Sequence, residues 1–341
     1  MRIHPPRFVL ERFWAHDTNI NCISGEGGPA RYVFNHLWVT LLKMPEDYRP
    51  NANSVRQIFN EMADEYDHLS DLWYRYSFSR INSIIKNHFA PGPGDSPNRV
   101  LVDVGCGTGI QSLAFAELGY QIIGIDIAEN LLKIAEEKLD STFPGRAMFL
   151  RGDAQSLPLP DAVGDVVNCC GPTISFVPDY EQAFREMSRV LKPGGRLILE
   201  CEQKWNFDML WEVLNALFGN VFEYDESLSE AIRHFLPPLS KGHYVKYAFR
   251  TESGDKSYMF LKLFTAKELR SALARAGLKV DREFGIHILT NLIPSTVLHD
   301  ASPAAVVQQV FGVLARVENS LYDKWPFSHF GCSLVITATK L

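Results

Sequence analysis

Residues Arg99-Val-Leu-Val-Asp-Val-Gly-Cys-Gly-Thr-Gly109 join a short apolar run to three glycines at alternate positions. Such an apolar run is typical of a strand that is buried on both faces of a parallel sheet. The glycines then predict a turn whose backbone adopts unusual dihedral angles and approaches a ligand closely. Leu113, Phe115 and Leu118 follow among helix-forming residues, so we expect a helix whose free N–H groups face the turn. This order of strand, glycine turn and helix predicts a site for a nucleotide-type cofactor.

The glycine spacing separates two classes of cofactor. Dinucleotide-binding folds carry Gly-x-Gly-x-x-Gly and place a pyrophosphate at the helix N-terminus. Here Gly105, Gly107 and Gly109 give Gly-x-Gly-x-Gly instead. A nicotinamide-dependent oxidoreductase is therefore disfavoured, although it stays an alternative.

Length and composition limit the possible classes of protein. With 341 residues, 46% of them hydrophobic, the chain can build one large core with insertions or a core plus a cap. The net charge of −6 argues against a nucleic-acid partner, which usually needs a basic face. The six cysteines include no Cys-x-x-Cys pair, so we expect reduced thiols, no metal site and a cytoplasmic location. No apolar run approaches about 18 residues, so we expect no membrane span.

Strand and helix signals alternate regularly from residue 99 to residue 202, which predicts βαβ units and a parallel sheet. The alternation then breaks at an aromatic stretch and an expected hairpin, and it resumes near a Thr265 capping box. The later strands are predicted at Gln121 to Asp126, Ala147 to Asp153, Asp165 to Cys170, Arg196 to Cys201, Lys279 to Phe284 and Cys332 to Thr339.

These signals divide the chain into five parts. Residues 1–53 form an N-terminal extension, either a flap on the core or the cover of a site or of a homo-oligomer interface. Residues 54–98 form a helical lid segment, with one helix capped by Asn53-Ser54 and a second from about Leu72 to Phe89. The remaining parts are the cofactor-binding core at 99–202, an inserted substrate cap at 203–262, and a return to the core at 263–341 with a helical insertion at about 288–327.

Acidic residues at or near the ends of the predicted strands suit the parts of one particular cofactor. Asp126 ends the strand beside the glycine turn, where a carboxylate accepts both hydroxyls of a ribose. Asp153, with Ala154 behind it, offers an edge to an adenine amino group, and Asp103 beneath the turn would hold an ammonium group. A molecule with adenine, ribose and an amino-acid ammonium but no phosphate is S-adenosylmethionine.

Residues 99–202 resemble the class I (seven-stranded, Rossmann-like) S-adenosylmethionine-dependent methyltransferases. The segment from Glu61 to Asp67 is also similar to the helix before the core in methyltransferases of the ubiquinone and menaquinone biosynthesis type, where the tyrosine closes over the cofactor. The resemblance implies an α/β fold with a doubly wound, mostly parallel seven-stranded sheet and an antiparallel last strand. Four motifs in family order carry it: Asp103-Val-Gly-Cys-Gly-Thr-Gly109, Gly124-Ile-Asp126-Ile-Ala, Gly152-Asp-Ala-Gln-Ser-Leu-Pro-Leu-Pro160 and Arg189-Val-Leu-Lys-Pro-Gly-Gly-Arg-Leu197.

The resemblance implies methyl transfer from S-adenosylmethionine, and the residues leave the catalytic base open. Tyr66, His243 and His287 are candidates because they lie in or beside the lid and the insertions. Cys169 and Cys170 place small side chains where the fourth strand meets the methionine part of the cofactor. The expected cofactor-binding residues are Tyr66, Asp103, Gly105, Cys106, Gly107, Gly109, Asp126, Ile127, Asp153, Ala154 and Cys169.

The acceptor is expected to be a small, partly apolar or aromatic molecule, enclosed by the two insertions and methylated by direct in-line transfer. Alternatives are an RNA-directed methyltransferase and a non-catalytic S-adenosylmethionine-binding protein. An arsenite methyltransferase, suggested faintly by Asn168-Cys169, is a further alternative. The aromatic residues expected to cover the acceptor are Trp205, Phe207, Trp211, Phe218, Phe222, Tyr244, Tyr247 and Phe249.

Overall fold

The computed structural model describes residues 50–67, 71–92, 94, 96, 98–224, 227–235, 243–250, 256–300 and 302–341. Nine strands lie within these ranges: β1 (Val100–Val104), β2 (Gln121–Asp126), β3 (Ala147–Arg151), β4 (Gly164–Cys169), β5 (Leu191–Glu202), β6 (His243–Arg250), β7 (Lys256–Leu263), β8 (Leu278–Ile286) and β9 (Ser333–Lys340). Most of the N-terminal extension predicted at residues 1–53 lies outside the described residues.

The described helices fall into a lid, the core and the insertions. They are α1 (Ala52–Glu61), α2 (Ala63–Tyr66), α3 (Leu72–Phe89), α4 (Ile110–Glu117), α5 (Glu129–Thr142), α6 (Tyr180–Val190), α7 (Asp208–Phe218), α8 (Leu228–Phe235), α9 (Ala266–Arg275), α10 (Ser295–Leu298) and α11 (Ala305–Glu318). Short 3₁₀ turns lie at Thr173–Phe176, Thr290–Leu292 and Phe327–His329. Within the described ranges, no helix combines the length and the apolar character that a membrane crossing requires.

A seven-stranded sheet organises the core, in the order β3-β2-β1-β4-β5-β9-β8. Strands β1 to β5 pair in parallel, whereas β9 runs antiparallel to both of its neighbours, β5 and β8. The predicted mostly parallel sheet with an antiparallel last strand is therefore confirmed. Strands β6 and β7 form a separate antiparallel hairpin, as the two alternating runs predicted.

Apolar side chains cover both faces of this sheet. On one face α6 and α9 contribute Phe184, Met187 and Leu269, and on the other α3 and α4 contribute Ile85 and Phe115. Alternate side chains of a strand point to opposite faces of the sheet. Because both faces are covered here, all of these side chains are buried, which explains the nearly continuous apolar sequence of β1. The polar side chain within β1 belongs to Asp103, which is also buried.

Several predicted boundaries differ from the structure, among them the end of β3, which is Arg151 and not Asp153. Two of the differences have a local reason. Helix α1 is capped by Asn51 and not by Asn53-Ser54, because the Asn51 Oδ1 accepts hydrogen bonds from the Asn53 and Ser54 backbone nitrogens at 2.9 and 3.3 Å. Strand β5 begins at Leu191 and not at Arg196, because Leu191 already pairs with Gly164 before the register shifts.

Candidate active site

The glycine turn between β1 and α4 has a backbone that only glycine adopts easily. Gly105, Gly107 and Gly109 have φ angles of +72°, +53° and +80°. The Gly105 and Cys106 N–H groups donate to the Ile125 carbonyl oxygen at 2.7 and 3.1 Å, which fastens the turn to the end of β2. A Cβ on Gly105 would lie 2.3 Å from the Thr173 side chain, whereas one on Gly107 would meet no atom within 4 Å. The backbone at Gly107 therefore faces open space.

That space is a cavity of about 880 Å³, including the part open to solvent. It lies over the ends of β1, β2 and β4 and under the lid helices α1 and α2. Its wall includes eight of the predicted cofactor residues: Tyr66, Gly105, Cys106, Gly107, Asp126, Ile127, Asp153 and Ala154.

Asp126 is the charged side chain at the end of β2. Its Oδ2 accepts a hydrogen bond from the Gly107 N–H at 2.9 Å, and its Oδ1 accepts one from the Ala128 N–H at 2.8 Å. Burial raises the pKa of this carboxyl, and the backbone hydrogen bonds from Ala128 and Gly107 oppose that rise. A carboxylate accepts about four hydrogen bonds, so two positions remain for hydroxyl groups of a bound molecule.

Asp153 reaches the cavity from the loop after β3 and is held by a neighbour that the sequence analysis missed. The Gln155 Nε2 lies 3.1 and 3.0 Å from the two Asp153 carboxylate oxygens, and the Gln155 N–H donates to Oδ1 at 2.9 Å. The Gln155 Oε1 in turn accepts from the Asp179 N–H at 3.0 Å. Gln155 lies within the third motif, Gly152 to Pro160. Its position in that motif is the sequence signal that could have identified it.

Three predicted cofactor residues do not line the cavity. Asp103 lies beneath the turn, where its oxygens accept hydrogen bonds from the Ser112 hydroxyl at 2.5 Å and the Asn168 side-chain amide at 2.6 Å. Burial raises the pKa of Asp103 from 3.8 to about 6. Asp103 thus braces the turn from below and is not at the cavity surface to hold an ammonium group. Gly109 packs against Leu139, and at the end of β4 the cavity wall is formed by Cys170 instead of Cys169.

The lid is fastened to the glycine turn and to α5. The Asp67 Oδ1 accepts a hydrogen bond from the Thr108 hydroxyl at 2.6 Å, and its Oδ2 forms an ion pair with the Lys138 Nζ at 2.6 Å. Tyr66 lines the cavity next to this latch and packs edge-on against Phe59, with ring centroids 6.2 Å apart. The lid therefore places two aromatic rings over the glycine turn.

His287, predicted as a candidate base, is a structural residue. It is fully buried, does not line the cavity, and stacks on Trp73 with ring centroids 3.8 Å apart. Its Nε2 lies 3.0 Å from the Ser77 hydroxyl and its Nδ1 lies 2.9 Å from the Thr290 hydroxyl. Burial lowers the pKa of His287 to about 3, so the ring is neutral. The side chain of His243, another candidate, lies outside what the structure describes.

The expected cover from the two insertions is not found among the described residues that line this cavity. None of the described residues of 203–262 or 288–327 lines it, and the described aromatic wall comes from Phe59, Tyr66, Phe78 and Phe176. Part of the first insertion packs against wall residues instead. Met259 and Leu261 of β7 form an apolar cluster with Val55, Ile58 and Phe176.

The cavity wall has a distinctive chemical character. Of its carboxylates, Asp126 lies at the end of β2 and Asp153 in the loop after the neighbouring β3, and no lysine, arginine or histidine is among the described residues that line it. Aromatic rings and small side chains form most of the rest. Such a wall suits an adenosine group at the two carboxylates and an apolar molecule beside the rings.

Comparison with known proteins agrees with this geometry. Residues 102–199 match a family described as a methyltransferase domain. The chain is 31% identical over 185 residues to a demethylmenaquinone methyltransferase of Lysinibacillus sphaericus, covering 51% of this chain and 76% of the relative. It is 34% identical over 171 residues to the ubiquinone/menaquinone biosynthesis C-methyltransferase UbiE of Vibrio vulnificus, covering 48% of this chain and 62% of the relative.

One solved structure extends the likeness of fold over most of the chain. The [4+2]-cyclase SpnF has a TM-score of 0.53 and 19% sequence identity, covering 86% of this chain and 97% of that chain. At this identity the likeness concerns the fold alone, because one fold hosts different reactions.

Proposed function

Because the chain belongs to the class I S-adenosylmethionine-dependent methyltransferases, we propose that it methylates a small, partly apolar or aromatic molecule by direct in-line transfer. The observation that carries the proposal is the cavity wall, where Phe59, Phe78 and Phe176 adjoin the glycine turn and Asp126. Aromatic rings bind flat apolar molecules and tolerate a nearby positive charge. Bound S-adenosylmethionine supplies a methyl group that its sulfonium already activates.

The residues present fit this cofactor. Asp126 has two hydrogen-bonding positions left for the ribose hydroxyls, and Asp153 with Ala154 would accept the adenine edge. The open space at Gly107 leaves room for the amino-acid part against the backbone of the turn. These are the residues that would hold the cofactor.

The chain itself contributes enclosure and orientation. The Asp67 latch fastens the lid to the glycine turn, so that Phe59 and Tyr66 cover part of the site. The absence of basic side chains from the described wall favours an acceptor that is nucleophilic without a strong protein base. An electron-rich aromatic carbon meets that requirement.

The names of two relatives suggest which class of methyl acceptor to test first. They describe methylation of demethylmenaquinone and C-methylation in ubiquinone and menaquinone biosynthesis. A hydroquinone ring is apolar, aromatic and nucleophilic at carbon. We therefore take a quinone-type ring, methylated at carbon, as the first acceptor class to test, and we place nucleic acids outside the acceptor range.

The experiment uses the full chain, S-adenosylmethionine labelled in its methyl group, and a demethylated hydroquinone. The expected product is a ring-methylated hydroquinone that enters an organic solvent, with a rate that changes little with salt. Asp126→Ala is the control that should bind the cofactor poorly. Label that appears only in added RNA or protein, or no transfer by a chain that binds the cofactor product, would contradict the proposal.

A further inference from the structure

Gln111 is a buried amide at the cavity, outside the carboxylates and aromatic rings of its wall. It lies in the first turn of α4, lines the cavity and is only 6% exposed. Its Nε2 has no hydrogen-bond partner among the described residues. Its neighbour Ser112 differs, because the Ser112 hydroxyl is bonded to Asp103 below the turn. A buried amide donor without a partner is unfavourable, which indicates that a bound molecule completes its hydrogen bonds.

The start of α4 adds donors at the same place. Its first-turn N–H groups have no partner within the helix, the N-cap Gly109 offers no side-chain hydrogen bond, and the first turn holds no acidic residue. Helices α3 and α6 have such caps, from Asp71 and Asp179, whereas α5 also lacks one. The positive end of the helix dipole and the Gln111 amide therefore both favour an oxygen with free lone pairs.

We propose that Gln111 binds an oxygen atom of the molecule held in the cavity, by donating a hydrogen bond through Nε2. Two sources supply such an oxygen: the carboxylate of the cofactor's amino-acid part, or a hydroxyl or carbonyl group of the acceptor. The inference rests on the proposed function, since it takes the cavity to hold that cofactor and acceptor.

The test compares two substitutions and two nucleosides. Gln111→Met keeps the length of the side chain and removes the donor, whereas Gln111→Glu keeps the shape and places a carboxylate oxygen where the donor was. Titration calorimetry measures the binding of S-adenosylhomocysteine and of 5′-methylthioadenosine, which lacks the amino-acid part. Steady-state kinetics measures the KM for the acceptor, the demethylated hydroquinone.

If the carboxylate is the partner, S-adenosylhomocysteine binds about tenfold more weakly to Gln111→Met and more weakly still to Gln111→Glu, while 5′-methylthioadenosine binding is unchanged. If the acceptor oxygen is the partner, both nucleosides bind as before and the acceptor KM rises about tenfold. Unchanged values throughout, or equal losses for both nucleosides, would overturn the proposal.

Gln203 provides a matched control. It is a buried amide whose Nε2 already donates to the His329 carbonyl oxygen at 2.9 Å, and it does not line the cavity. Gln203→Met should lower stability and leave nucleoside binding unchanged. The calorimetry also separates this inference from the proposed function, because wild-type binding of S-adenosylhomocysteine without any methyl transfer refutes the function alone.

Discussion

Replacement of Asp126 by alanine tests the cofactor site through one carboxylate. The substitution removes the acceptor of the Gly107 and Ala128 N–H groups as well as the two positions left for ribose hydroxyls. A hydrogen bond to a charged group contributes about 1.5–3 kcal/mol, so the loss of the ribose contacts should weaken cofactor binding roughly 10- to 100-fold. The two freed N–H groups should also lower the free energy of unfolding, by about 1–2 kcal/mol, because water replaces the carboxylate only in part.

Titration calorimetry with S-adenosylhomocysteine and chemical denaturation measure the two effects separately. Asp165→Ala is the matched control, because Asp165 also accepts a backbone N–H, from Val100 at 2.8 Å, but does not line the cavity. It should lose stability and keep its affinity. A folded Asp126→Ala variant that binds the cofactor product as tightly as the wild type would refute the assigned role.

Three further predictions concern the residues around the cavity. Asp103 has its pKa raised by burial from 3.8 to about 6, so the folded chain binds a proton more readily than the unfolded chain, and stability should fall as pH rises from about 4 to 6. Chemical denaturation across that pH range should show that the free energy of unfolding of the wild type falls relative to that of Asp103→Asn, by at most about 3 kcal/mol. Parallel pH dependences of the two chains would contradict this prediction. Asp67→Ala breaks the contacts to Thr108 and Lys138. Because the Asp67 and Lys138 side chains are partly exposed, cofactor binding should weaken only about two- to fivefold by calorimetry, and no change would argue against the latch. Asparagine at position 287 tolerates the backbone φ of +56°. His287→Asn should lower the free energy of unfolding by about 2 kcal/mol and leave the rate of methyl transfer per folded molecule unchanged. If the substitution abolished the pH dependence of that rate, His287 would again be a candidate base.

The glycine turn and Asp126 were predictable because their information is local. A buried strand, three positive-φ positions and the following helix are read directly from consecutive residues, and Asp126 follows at the end of the neighbouring strand. The mostly parallel seven-stranded sheet with an antiparallel last strand was implied by the family resemblance of residues 99–202, and it is confirmed. Sequence patterns of this kind predict helices, strands and the ends of strands well, because these features follow from short-range periodicity.

The wall of the cavity was not predictable in the same way. Phe78 reaches it because α3 packs beside α4, a contact between distant parts of the chain that no local pattern reveals. The insertion after β5 was expected to cover the site because its aromatic residues follow the carboxyl end of a strand. Among the described residues, Met259 and Leu261 of this insertion pack instead against Val55, Ile58 and Phe176, which are distant in sequence.

The central claim is that this cavity holds S-adenosylmethionine and passes its methyl group to a small molecule. The most direct measurement incubates the purified chain with S-adenosylmethionine carrying a deuterated methyl group, together with the small-molecule, RNA and protein fractions of a cell extract. Mass spectrometry should find the deuterated methyl group in the small-molecule fraction with the wild type, and far less of it with Asp126→Ala. A deuterated methyl group found only in the RNA or protein fraction, or equal labelling by both chains, would contradict the claim.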